Sequence, residues 1–237
     1  MSASDFAPPS PFSSSVLIPS LCGRANRAAG GFRETCWRLC FCIVLLVAVT
    51  ACTTSPPADT DNICAIFFEK DDWYEEAAEA RDEWNSPIPV MMAIMHQESR
   101  FNATAKPART KLMGFIPWSR PSNAYGYSQA LESTWEGYER SADRWGADRD
   151  DFGDSIDFIG WYNEQSHRRN AIARDDTYRL YLAYHEGHGG FSRGSFNKKP
   201  WLIEVARKVQ RRANTYQVQL QVCEEKLKDR GWFSGWF

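Results

Sequence analysis

Val90, Ile94 and Glu98 recur at i, i+4 and i+8 in the segment Val90-Met91-Met92-Ala93-Ile94-Met95-His96-Gln97-Glu98. On a helix they share one face. That face is apolar until it reaches the carboxylate. A carboxyl at the inner end of a buried stripe is costly unless something uses or pairs it. Desolvation raises its pKa, and a carboxyl that keeps its proton near neutral pH suits general acid catalysis. Spacing leaves a second reading open, a structural Glu paired at the helix end with an arginine such as Arg100. Metal chemistry finds no support: no cysteine pair has C-x-x-C spacing and the four histidines are scattered, so no zinc site and no cofactor are expected.

The elements that must position Glu98 read as helices. Glu75 to Trp84 is rich in Glu, Ala and Arg and is stopped by Asn85-Ser86-Pro87. Pro89, in a first-turn position, opens the helix that carries Glu98. Pro107, Gly114, Pro117 and Pro121 make residues 102–124 a long loop. Further helices are expected over Ser128 to Ala142, Ser155 to Ala173, Thr177 (as N-cap) to about His188, and Pro200 to about Asp229. Gly187, Gly189, Gly190 and Gly194 form a turn-rich break between the last two. No alternating strand pattern and no repeat is found. The class is mainly α: one domain of packed helices with a long Pro-rich loop.

The N-terminal stretch reads differently. Arg33 and Arg38 precede the apolar run Leu39 to Ala51, a basic region followed by a hydrophobic one, too short to cross a bilayer comfortably. It ends in Val49-Thr50-Ala51-Cys52, which resembles a bacterial lipobox; the other reading is an ordinary secretion signal or a short anchor. A lipobox implies cleavage before Cys52 and acylation of that residue, giving a lipid anchor to the membrane. Thr53, rather than Asp, after the lipidated Cys points to the periplasmic face of the bacterial outer membrane. The division expected is therefore leader 1–51, tether 52–62, catalytic domain 63–230 and aromatic tail 231–237. Export also permits disulfides. Only Cys64 and Cys223 lie beyond the leader region, near opposite ends of the domain, and they form either a bridge that ties the termini together or two free buried thiols.

Charge excludes one class of partner. The chain carries a net charge of −2. The first 51 residues hold four Arg and two acids, which leaves 24 basic against 28 acidic side chains in the remainder. Nucleic-acid binders are usually basic with the charge clustered, so no nucleic acid is expected as partner.

Three segments in order now carry a resemblance. Glu98-Ser99-Arg100-Phe101 resembles the E-S-x-F signature of the soluble lytic transglycosylase (SLT) domain family, related to goose-type lysozyme. Tyr125-Gly126-Tyr127-Ser128-Gln129-Ala130-Leu131 resembles that family's G-L-M-Q segment, and Leu182-Ala183-Tyr184-His185-Glu186-Gly187 its A-Y-N-A-G segment. The resemblance covers about residues 88–215. It implies a lysozyme-like fold and cleavage of peptidoglycan glycan strands between N-acetylmuramic acid and N-acetylglucosamine, with Glu98 as single acid/base. It further implies that Tyr184 orients the Glu98 carboxyl by a hydrogen bond, that Ser99 supports the site or reaches the substrate, and that Gln129 binds sugar through its amide. Tyr127, with Phe115 and Trp118, lines the glycan groove or packs in the core.

The departures bear on these secondary residues. Tyr127-Ser128 stands for Leu-Met, and His185-Glu186 for Asn-Ala. The stretch from Glu98 to Gly126 is longer than is common in the family, and Trp201 stands near where a Tyr is often found. Glu186 is either a second acid, which makes the protein a hydrolase of muramidase type, or a partner for His185, His188 or an arginine. A murein-binding lipoprotein without activity is the remaining alternative.

Overall fold

The Asn62 side chain accepts the backbone N–H groups of Cys64 and Ala65 and starts helix α1 (Ile63–Glu69). Seven residues are too few to display a helical period, which is why the sequence did not reveal it. In the computed structural model, residues 55–108, 111–112, 116–117 and 122–234 are described. The lipobox expected at Cys52, the expected leader, Phe115 and Trp118 lie outside them, as do residues 235–237 of the expected tail.

α2 (Trp73–Trp84) begins two residues before the expected Glu75 and ends at Asn85 in the left-handed conformation, φ 50°. α3 (Ile88–Ser99) follows from Pro87 as cap and Pro89 in its first turn. Nine consecutive residues, Ile88 to His96, are buried. A helix buried all round belongs at the centre of a fold, and α3 packs against α5 and α7. Among the described residues of the Pro-rich loop, β1 (Lys111–Leu112) pairs antiparallel with β2 (Ile116–Pro117). Two-residue strands leave no alternation for a sequence to show.

α4 (Glu132–Ala142) starts four residues later than the expected Ser128. The chain there forms a turn, closed by a bridge between Tyr125 and Ala130. α5 (Phe152–Asn170) is capped by Asp151, whose side chain accepts from the Asp154 N–H. α6 (Thr177–Ser192) is capped by Asp176, which accepts from Arg179, so the cap lies one residue before the expected Thr177. The helical path breaks once inside α6, at Gly187 (φ 71°, ψ 157°), and then resumes, where the sequence suggested an end. A 3-10 turn (Ser195–Lys198) leads into α7 (Pro200–Ser234), a 35-residue helix that runs past Asp229 into the expected tail.

The molecule is mainly α, as a lysozyme-like SLT domain requires, and the described residues belong to one unit. α2 lies along α5, α6 bridges α5 and α7, and α1 packs on α7. A disulfide joins Cys64 on α1 to Cys223 on α7. An aromatic cluster fills the space under α2: Trp73 stacks on Phe152 with centroids 3.9 Å apart, and Tyr127 meets both rings edge-on at 5.7 and 5.9 Å. Tyr127 is 1% exposed. It is a core residue and not part of a glycan groove, because the turn at Gly126 directs it inward.

Candidate active site

Glu98 sits in the last turn of α3, and the residues after it hold that turn in place. Arg100 takes the left-handed C-cap conformation and its N–H donates to the His96 carbonyl at 3.0 Å. Phe101 is also left-handed, φ 60°, and fully buried against Trp73 and His96, at 5.9 and 5.8 Å. An apolar anchor of this kind fixes where the helix ends and therefore where its last carboxyl points. Ser99 has a helical role: its hydroxyl donates back to the Met95 carbonyl at 3.3 Å, and it does not line the cavity described below.

The Glu98 carboxyl faces a cavity of about 390 Å³, lined also by Gln129, Phe158, Tyr162, Tyr184 and Glu186. That volume lies within the usual range for ligand sites. Burial raises the Glu98 pKa to about 7, against a weaker opposing effect of the Tyr181 hydroxyl, which hydrogen-bonds to the carboxylate. Among the described residues no cation is close enough to shift Glu98, so the pairing with Arg100 that spacing left open is not made.

Gln129 reaches the cavity from the Tyr125–Ala130 turn. Gly126 in that turn has φ 76°, and a Cβ there would lie 1.7 Å from the Arg149 carbonyl oxygen. Both the angle and the approach demand glycine. The Gly126 N–H donates to Ala105 and the Tyr127 N–H to Arg149, each at 3.0 Å. The Gln129 Nε2 then donates to the Ala105 and Gly126 carbonyls, both at 2.9 Å. Its amide nitrogen is spent on holding two loops together, and the amide oxygen is what remains for a ligand.

α6 supplies the opposite chemistry. The Tyr184 hydroxyl donates to the Ser128 carbonyl at 2.7 Å and not to Glu98. The hydrogen bond expected of Tyr184 comes from Tyr181 instead, one turn earlier on the same helix face. Tyr184 lines the cavity and braces the Gln129 turn. Sequence spacing contained the signal for Tyr181, since residues three apart are neighbours on a helix.

Glu186 has only 4% of its side chain exposed. Burial pushes its pKa up, but hydrogen bonds from Lys199, Ser195 and His185 together outweigh this and hold it at about 2. The Lys199 Nζ lies 2.6 Å from its carboxylate and the His185 Nδ1 3.1 Å. Glu186 is therefore ionised at neutral pH and committed to three partners. Its partners include the expected His185 but not His188, which faces Ser166 at 3.1 Å and stacks on Tyr162.

Of the residues singled out from sequence, the fold thus brings Glu98, Gln129, Tyr184 and Glu186 to one cavity. It leaves Ser99 on the helix end and Tyr127 in the core. No curated protein and no solved structure matches the chain. A family model described as the transglycosylase SLT domain matches residues 40–223, more than three quarters of the sequence. The chain belongs to the transglycosylase SLT family, whose activity is of the lytic transglycosylase type and directed at peptidoglycan.

Proposed function

We propose that the protein cleaves the β-1,4 bond between N-acetylmuramic acid and N-acetylglucosamine and leaves a 1,6-anhydromuramoyl end, with Glu98 as the single acid/base. One observation carries this reading. Of the two carboxyls in the cavity, Glu98 keeps its proton up to about pH 7 and Glu186 does not.

Hydrolysing glycosidases commonly need two carboxyl groups, one of them to activate water or to attack the sugar. Here the chemistry closes with one. Glu98 gives its proton to the glycosidic oxygen as the bond to the muramoyl C1 breaks. The C6 hydroxyl of the same sugar then bonds to C1, and its proton passes to the Glu98 carboxylate. No water is consumed and Glu98 returns to its starting state. The nucleophile belongs to the substrate, and its proximity replaces a second catalytic group. Tyr181 orients the Glu98 carboxyl, and the Gln129 amide oxygen is an acceptor for a sugar hydroxyl or amide N–H.

The same reading places the mature protein on the periplasmic face of the outer membrane, anchored through Cys52. A disulfide between Cys64 and Cys223 supports export, because such bonds persist in oxidising compartments.

Mass analysis of intact sacculi digested by the purified protein is the test. Anhydromuramoyl ends are expected from the wild type, with activity lowered at least 100-fold in Glu98→Gln. Reducing ends would identify a hydrolase. Full activity in the variant would remove Glu98 from the mechanism.

A further inference from the structure

Trp201 is 56% exposed, in a chain whose Trp73, Trp135 and Trp161 are each less than 10% exposed. An indole left in water forgoes burial that the fold makes available to the others; a singly exposed ring is ordinary by itself, and what distinguishes one is where it lies. Trp145 is exposed too, but it makes no ring contact among the described residues. Trp201 is different. Its ring lies 5.2 Å from the His185 ring at 78°, and His185 lines the cavity that holds Glu98.

The position of this indole is fixed from below. Glu186 receives His185 on one oxygen, and Lys199 on that same oxygen at 2.6 Å. Lys199 is two residues before Trp201, and its carbonyl accepts the Leu202 N–H at 2.9 Å at the start of α7. The carboxylate therefore ties the end of the α6 cavity wall to the first turn of α7. The Gly187 kink, with nothing within 4 Å of its would-be Cβ, leaves open space beside that tie.

We propose that Trp201 is the stacking platform of a sugar subsite at the His185 edge of the cavity, where a pyranose ring of the glycan strand lies beyond the bond that is cut. This rests on the glycan-cleaving reading above. An indole presents a flat apolar face with a polar N–H edge, which suits the C–H face and the hydroxyl rim of a pyranose. Glu186 gains its role here: it is the positioning residue that holds His185 and the α7 start under the platform, not a second acid. A cavity of about 390 Å³ is small for a polymer, and an exposed ring at its edge extends the grip to a further sugar.

The test compares full-length wild type with Trp201→Ala and Trp201→Phe on uncrosslinked peptidoglycan glycan strands, sorted into long strands and tetrasaccharides. Expected for Trp201→Ala is a KM on long strands raised about tenfold with kcat within twofold, little change on tetrasaccharides, and recovery of most of the loss in Trp201→Phe. Binding is read separately by co-sedimentation with sacculi in the Glu98→Gln background, where adding Trp201→Ala is expected to release the protein about tenfold more readily. Unchanged KM and unchanged sedimentation would overturn the subsite. So would a loss of kcat that is equal on long and short strands. If the wild type sediments with sacculi through Trp201 but cleaves nothing, the platform stands and the cleavage reading fails.

Discussion

A carboxyl that loses water without gaining a cation holds its proton, and one that loses water but gains three donors gives it up. Glu98 and Glu186 are these two cases in one cavity. The consequence for stability has a definite sign. An ordinary glutamate titrates near 4.5, and folded Glu98 at about 7. Below 4.5 both the folded and unfolded chains hold the proton and Glu98 contributes no pH dependence. Between the two values the folded state binds a proton that the unfolded state has lost, so stability falls as pH rises. Above 7 the penalty is complete, on the order of 3 kcal/mol before the water in the cavity reduces it. Glu98→Gln removes the titration and nearly keeps the shape. Urea unfolding is therefore expected to show the variant more stable than wild type at pH 8, and no more stable at pH 4.5. An offset equal at both values would mean that Glu98 is not desolvated. Activity follows the same ionisation: it is expected to fall above about pH 7 as the acid is lost. Tyr181→Phe removes the donor that favours the carboxylate, so it moves this limb to higher pH, whereas Tyr184→Phe leaves it in place.

At the scale of elements, the cavity depends on two backbone breaks that only glycine fits, for different reasons. At Gly187 the strain is in φ and ψ alone. At Gly126 a side chain would also strike the Arg149 carbonyl at 1.7 Å. Gly126→Ala is accordingly expected to cost more than the roughly 1–3 kcal/mol typical of a strained backbone, and Gly187→Ala to stay within that range. Chemical denaturation of the two variants ranks them, and the reverse order would contradict the account. These turns also explain what the sequence made legible. The helices on either side of residues 85–87 were readable because Asn85 and Pro87 punctuate them, whereas α5 was expected three residues too late, at Ser155 to Ala173, because its cap is Asp151. The site was readable at Glu98, whose helix leads straight to it. It was not readable at Tyr127, since one left-handed glycine decides whether that ring points to core or groove; at Tyr181 the one signal was its spacing, three residues before Tyr184 on the same helix face. The direction of Tyr184 toward Ser128, rather than Glu98, depends on the turn before α4, with two helices in between. α1 was missed because seven residues carry no period, and the hairpin because its strands are two residues each.

For the whole molecule, the question is what keeps so long a last helix attached to the segment that leads into the domain. α7 receives the N-terminal segment through several groups: Tyr216 donates to the Thr60 carbonyl, Arg212 pairs with Asp61 at 2.7 Å, and the Ile63 N–H donates to Gln219 at 3.0 Å. The Cys64–Cys223 disulfide sits on the same seam and spans 159 residues, nearly the full described domain. Cross-linking so long a loop restricts the unfolded chain severely, and native disulfides of this kind contribute roughly 2–5 kcal/mol. The polar contacts at Thr60 to Ile63 do not need the bond, so the seam should remain closed in the folded state when it is absent. Cys64→Ser with Cys223→Ser is therefore expected to keep its cleavage rate at 25 °C while unfolding at a markedly lower denaturant concentration. Reductant added to the wild type is expected to reproduce that shift and to leave the double variant unmoved. If reductant leaves the wild-type midpoint where it was, the bridge contributes nothing, and the hydrogen bonds from α7 to the entering chain hold the two ends together by themselves.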